Sequence, residues 1–145
     1  MPRITQGYWR DEKKIAASFY GDWFRTGDVG YLDDEGFLYL TDRVKDMIIS
    51  GGENIASSEV ERVVYQLPQV REAAIIGLPD EKWGERPVAV IALNPGHTLD
   101  YDTLAKHCRA HLAAFKVPKQ LIVREQLPRN PSGKVLKRVL RDELR

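Results

Sequence analysis

The chain is poor in cysteine, in long apolar runs and in net charge of either sign. Its 145 residues include one cysteine, Cys108, which excludes an internal disulfide and fits a reducing compartment. Cys108 falls within a helical apolar pattern and reads as packing, not as a nucleophile. Runs such as VAVIAL at 88–93 are far too short to span a bilayer, and no signal-peptide core stands near the amino terminus. These features predict a soluble, cytoplasmic chain. Lys and Arg number 22 against 21 Asp and Glu, a net charge of +1, which argues against nucleic-acid binding through bulk charge and makes any anion site local. There is no internal repeat, and no nucleophile–base pair that would support a triad. His107 and His111 stand four apart but lack both a third ligand and the glutamate of a zinc protease, so no metal site is expected; His97, beside Gly96, is a turn residue.

What is present is alternation and periodicity. VGYLDDEGFLYLTD, within 23–42, alternates apolar and polar residues around an Asp-Asp-Glu-Gly turn and predicts a β-hairpin, which needs a partner surface because two strands alone are marginal in water. DMII and NIA, joined by SGGE, predict a second short hairpin. From Ser57 the pattern becomes helical, with Ser58 and Glu61 as a capping box, Val60, Val63, Val64 and Leu67 on one face, and Pro68 as the stop. VREAAIIGL and RPVAVIALN read as strands separated by the loop PDEKWGE. A helix is predicted over 100–115 with Ala105, Cys108, Leu112 and Phe115 as its stripe, then a strand at QLIVRE, then a final helix starting near Lys134 with Leu136, Val139, Leu140 and Leu144 inward. This order predicts an α+β fold, helices on a small mixed sheet, for residues 42–145. Residues 1–41 read as the tail of a different and larger unit. Their opening, MPRITQGYWRDEKK, shows neither a clear cap nor a useful strand and looks like the middle of a longer protein.

Three stretches can carry chemistry. In WFRTGD, Asp28 either accepts hydrogen bonds from the two hydroxyls of a ribose or satisfies turn amides. In DRVKDMIISGGENI, Arg43 can reach a phosphate or ribose, Lys45 sits where backbone rotation would swing everything downstream, and Gly51 and Gly52 either admit a ligand close to the backbone or form a plain turn. In PRNPSGK, Lys134 stands where a helix is expected to begin. A cation is unfavourable at a helix start unless an anion shares the space, so Lys134 either lies solvated in a surface loop or meets a ligand's negative charge. The G-x-x-x-x-G-K-[ST] phosphate loop is not matched.

WFRTGD, DRVKDMIISGGENI, GLPDEKWGE and LPRNPSGK, in this order and over almost the whole chain, resemble the carboxyl-terminal portion of the adenylate-forming enzymes, in particular the acyl-CoA synthetases. The resemblance implies a large amino-terminal domain beyond these residues, carrying the Ser/Thr/Gly-rich ATP loop and the acyl pocket. It implies that a carboxylic acid attacks the α-phosphate of ATP, with Mg2+, to give an acyl-adenylate, and that CoA then displaces AMP while the small domain turns between the two steps. In that scheme Lys134 is the adenylation lysine, Asp28 and Arg43 bind the nucleotide, and Lys45 is the hinge. Gly51, Gly52, Glu53, Trp83, Phe115 and Lys116 would face CoA.

Two departures accompany the resemblance: Val117 stands where an arginine can bind the nucleotide phosphate, and Asp42 replaces a glycine. MIISGGENI leans toward a fatty, medium- or long-chain, acyl-CoA synthetase. The alternatives are a noncatalytic CoA- or nucleotide-binding module and an adenylation domain that uses a carrier-protein thiol. The chain alone is expected to be inactive, to hold no cofactor with certainty, and to be able to form a dimer through its first hairpin.

Overall fold

The computed structural model describes residues 8–145. Its centre is a long hairpin, β7 (Val70–Asp80) with β8 (Gly84–Leu93), in which both strands are buried on both faces. Double burial explains why the two strands read as continuous β-branched runs and not as alternating patterns. The pairing reaches Asp80 opposite Gly84, so most of the expected loop PDEKWGE is strand, and the connection is a tight turn. The Asp80 carboxylate makes that turn by accepting the Lys82 and Trp83 amides at 3.0 and 2.9 Å.

Around this hairpin the sheet is mixed. Strand β9 (Gln120–Arg124) runs parallel to β8, while β5 (Ile48–Ser50) joins the far end of β8 at Ser50 opposite Gly84 and pairs with β6 (Glu53–Ile55). Gly51 and Gly52 connect β5 to β6 with φ of 61° and 85°, the two positive angles of a hairpin turn that follows strand twist. Helices α2 (Ser57–Val64) and α3 (Tyr101–His111) cover one face through Val60, Val64, Leu104 and Cys108, packed on Ile75 and Ile91. Helix α4 (Lys137–Leu144) covers the other through Leu140, packed on Ala74, Ile76, Val88 and Val90. Each fully buried isoleucine, valine or leucine contributes about 1.5–3 kcal/mol, so the lobe has two apolar layers, one on each side of the sheet. This is the α+β architecture that the element order predicts.

Ahead of the lobe lie a short helix, α1 (Glu12–Ser18), two two-residue strands, β1 (Phe19–Tyr20) and β2 (Trp23–Phe24), and the predicted hairpin, β3 (Asp28–Leu32) with β4 (Leu38–Arg43). Asp11 caps α1 by accepting the Lys14 amide at 3.0 Å, a cap the sequence reading did not identify. The part of the opening segment at 1–7 lies outside the described residues. Tyr31, Leu32, Leu38 and Leu40 are exposed on the hairpin, which pairs with no third strand among the described residues.

Three expected helix limits are corrected. Ser58 and Glu61 form no capping box: the N-cap is Ala56, without a side-chain bond, and Asp42 caps α2 from outside by accepting the Ser57 hydroxyl at 2.8 Å and the Ser58 amide at 3.2 Å. Helix α3 ends at His111, because Leu112 turns extended and a 3-10 turn over Ala114–Lys116 follows. That break carries Val117 into the core and leaves Phe115 outside the stripe. Helix α4 begins at Lys137, not near Lys134, because the preceding residues form a closed ribbon in which Arg129 bridges Val135 and the Leu136 amide donates to Pro128.

Candidate nucleotide cleft and the surface opposite

Asp28 and Arg43 face each other in register across β3 and β4, and the Arg43 Nε lies 3.2 Å from the Asp28 Oδ1. Asp28 does not serve the turn amides; its own amide donates to the Thr26 hydroxyl at 3.1 Å, and Gly27 supplies the positive φ that brings the strand in. Arg43 is more than half exposed, so the ion pair adds at most about 1 kcal/mol to stability. Its consequence is orientation: a carboxylate and a guanidinium are held side by side at a rim.

That rim borders a cleft of about 400 Å³ whose other walls include Ser58, Glu61, Lys134 and Lys137. The cleft therefore gathers three of the residues singled out in the sequence, Asp28, Arg43 and Lys134, from segments far apart in the chain. Lys134 is exposed, and its ammonium makes no hydrogen bond or ion pair among the described residues.

Glycine at 133 does not leave Lys134 on a loose tip. The Lys134 amide donates to the Asn130 side chain at 2.7 Å, the Gly133 amide to the Asn130 carbonyl at 2.9 Å, and the Asn130 amide back to the Lys134 carbonyl at 2.9 Å. The turn is closed on itself, and Gly133 is needed for its φ of 83°.

The cation in the first turn of α4 is Lys137, and the anion that offsets it belongs to the chain. Lys137 Nζ lies 2.6 Å from Glu61 Oε1 and donates to the Ser57 hydroxyl at 2.6 Å, while Ser57 in turn donates to Asp42. The electrostatic reasoning about a helix start is thus satisfied at Lys137, three residues beyond the position first considered. Burial pushes the Glu61 carboxyl above the ordinary glutamate value, opposed by Lys137 and by the Ile75 amide, which donates to it at 2.9 Å.

Because ionising Glu61 is harder in the fold than in the unfolded chain, its contribution to stability is full below the ordinary glutamate value. That contribution falls as pH rises through the raised one. Urea melts at stepped pH should show the wild-type chain losing stability relative to Glu61→Gln across that window, and parallel curves would refute the assignment.

None of the remaining candidates lines the cleft. Trp83 is 47% exposed at the β7–β8 turn and stacks over Gly51, where an added Cβ would meet the indole at 2.7 Å. The space at Gly51 is therefore filled by the chain's own tryptophan, whereas Gly52 opens to free space; Glu53, on β6, is exposed. Lys116 binds both oxygens of Glu59 at 2.8 and 2.7 Å, with its ammonium 5.7 Å from the exposed Phe115 ring. The Lys45 side chain is exposed and its carbonyl accepts from Arg141 at 3.1 Å; Arg141 also pairs with Asp46 at 3.1 Å. Val117 is 3% exposed in the first core, so an arginine would not fit at that position here. Cys108 is fully buried, and burial pushes its thiol up to about 11, so it stays protonated at neutral pH. His107 meets the Val63 carbonyl at 2.9 Å and His111 the His107 carbonyl at 2.9 Å.

Residues 59–134 match the model of the AMP-binding enzyme C-terminal domain. The chain belongs to that family. It is 48% identical over 140 residues to a long-chain-fatty-acid–CoA ligase, FadD13, of Mycobacterium tuberculosis strain H37Rv, covering 97% of this chain and 28% of the ligase. It superposes with a TM-score of 0.86, at 44% identity, on the o-succinylbenzoate CoA synthetase MenE of Bacillus subtilis in complex with the acyl-adenylate intermediate OSB-AMP, covering 97% of this chain and 28% of that one. For MatB of Rhodopseudomonas palustris, 95% of this chain and 28% of MatB are covered in each case. The ATP-bound form gives a TM-score of 0.87 at 39% identity, and the apo form 0.71 at 40%. This AMP-binding C-terminal domain therefore spans little more than a quarter of the length of the relatives it matches.

Proposed function

We propose that this chain is the carboxyl-terminal part of an AMP-forming acyl-CoA synthetase and that it completes the nucleotide site of a large amino-terminal domain. The reading rests on one cleft that holds the Asp28 carboxylate, the Arg43 guanidinium and a Lys134 ammonium with no partner among the described residues. Those three groups suit an adenylate: the carboxylate accepts from the ribose hydroxyls, the guanidinium meets ribose and phosphate, and the ammonium lies between the acyl carboxylate and the α-phosphate. The acyl carboxylate oxygen attacks the α-phosphorus and pyrophosphate leaves with its Mg2+. Lys134 offsets the charge that grows on the phosphoryl oxygens in the transition state.

Residues 1–41 then belong to the large domain and 42–145 to a lobe that turns about Lys45. The two MatB values favour this, since the chain fits the ATP-bound arrangement better than the apo one at nearly equal identity. After the turn, Gly52, Glu53, Trp83, Phe115 and Lys116 would meet CoA, with Lys116 leaving Glu59 for a CoA phosphate. The fatty acyl preference is favoured by the mycobacterial ligase and remains a choice of the large domain's pocket. A reduced, buried Cys108 agrees with a cytoplasmic enzyme, and no described helix is long and apolar enough to cross a membrane. The exposed hairpin face docks on the large domain, or on a second copy when that domain is missing.

The isolated chain should show no ATP–pyrophosphate exchange above a buffer blank, and titration calorimetry should detect at most weak heats with AMP or CoA. Full-length enzyme should show exchange that depends on a fatty acid. Tight binding of CoA by the chain alone would instead favour a noncatalytic module, and transfer to a carrier-protein thiol but not to CoA would move it to the peptide-synthetase branch.

A further inference from the structure

Within the proposed role of Lys134, the structure leaves open how its turn is held to the lobe. The bonds through Asn130 close the turn internally, but they do not attach it to the sheet. Leu127, buried in the second core, anchors one end, and the Leu136–Pro128 bond closes the ribbon at the other. By themselves these contacts would leave the turn free to pivot as one body.

Glu72 prevents that. It lies on β7 in the row that continues through Ala74, Ile76 and Leu78, facing α4, and it is charged where those three are buried and apolar. Its Oε2 accepts the Leu127 amide at 2.9 Å and its Oε1 lies 3.3 Å from Arg129 Nη2. Arg129 Nη1 in turn donates to the Gly133 carbonyl at 2.5 Å, the peptide group joined directly to Lys134. One carboxylate thus grips the entry of the turn and, through a planar guanidinium, its far end.

We propose that Glu72 and Arg129 form a positioning pair that fixes the height and direction of Lys134 above the sheet. This deepens the function proposed above and rests on it. Neither residue borders the cleft, so each acts through Lys134 and touches no substrate. A turn freed at Gly133 keeps its internal bonds and its lysine but presents the ammonium away from the reacting oxygens, and a displacement of about 1 Å costs on the order of a hundredfold in rate when the group is needed in the transition state.

The test is a comparison of half-reactions in the full-length enzyme, using Glu72→Gln, Arg129→Ala, Arg129→Lys and the double variant Glu72→Gln/Arg129→Ala beside Lys134→Ala. Pyrophosphate release in a single turnover should slow about tenfold in Glu72→Gln and Arg129→Ala, and the double variant should be no slower than Arg129→Ala, because the two residues act as one unit. Thioester formation from preformed acyl-adenylate should stay within about twofold of wild type, and Arg129→Lys should recover part of the rate. Equal losses in both half-reactions, tracking a fall in melting temperature, would mark the pair as structural only and overturn the proposal. Wild-type adenylation in these variants, with Lys134→Ala still slow, would sink the pair and leave the function standing. Wild-type adenylation in Lys134→Ala would overturn both.

Discussion

Lys134→Ala is expected to slow acyl-adenylate formation by the full-length enzyme about 10²–10³-fold, the cost of removing one preorganised charge-stabilising group, equivalent to about 2.7–4 kcal/mol. Two structural facts sharpen this. The ammonium has no partner within the described residues, so its removal leaves no buried group unsatisfied, and the variant should keep wild-type stability to within about 0.5 kcal/mol. The turn that carries it is held by the Asn130 and Arg129 side chains and by backbone groups, none of which the substitution touches. Transfer from preformed acyl-adenylate to CoA should be nearly unaffected, because the charge that Lys134 stabilises belongs to the first step. Lys134→Arg should recover little, since a planar guanidinium does not reproduce a compact ammonium. Rapid-quench measurement of each half-reaction decides the matter: equal losses in both would place Lys134 outside the adenylation step.

Lys137→Ala should have the largest effect on the fold. Lys137 and Glu61 are 14% and 18% exposed and 2.6 Å apart, and removing one member of such a pair leaves the other charge buried without compensation, a cost of about 3–5 kcal/mol. For a chain of this size that lowers the melting temperature by on the order of 10 °C. The loss should shrink in mildly acid buffer, where Glu61, already raised by burial, takes up a proton. Lys137→Met combined with Glu61→Gln should regain much of the stability at neutral pH, because the carboxamide still accepts the Ile75 amide and no isolated charge remains. Thermal melts of wild type and the two variants at two pH values provide the check, and Lys137→Ala as stable as wild type would show that the pair carries no net stabilisation. Lys134 and Lys137, three positions apart, are thus expected to separate cleanly, one affecting rate and the other stability.

Several elements were legible in the amino-acid order because their causes are local. The period-two alternation of VGYLDDEGFLYL marked a hairpin that forms, and the β-branched runs of 70–93 marked strands buried on both sides. The Gly51–Gly52 pair marked a turn with positive φ, and the stripes through Val60 and Ala105 marked two covering helices. Two of the three misplaced limits involve a partner distant in the chain, whereas α3 stops locally where Leu112 turns extended. Asp42 caps α2 from the end of another strand, and the ribbon ahead of α4 is tied at Leu127 to Glu72 on β7.

The site divides in the same way. Residue type and motif order pointed to Asp28, Arg43 and Lys134, whereas the Asp42–Ser57–Lys137–Glu61 cluster and the Glu72–Arg129 pair carried no signal that could be read along the chain. By itself the sequence determined which faces are apolar, where the backbone must turn, and which charged side chains stand in adenylate-forming motifs. Only the tertiary structure decided which cation is neutralised and which stays free. Hydrophobic burial and turn geometry depend on near neighbours, but the fate of an ammonium depends on the carboxylate that packing brings to it. For Lys137 that group, with the Ser57 hydroxyl 80 residues away, comes from within the chain; for Lys134 packing brings none among the described residues.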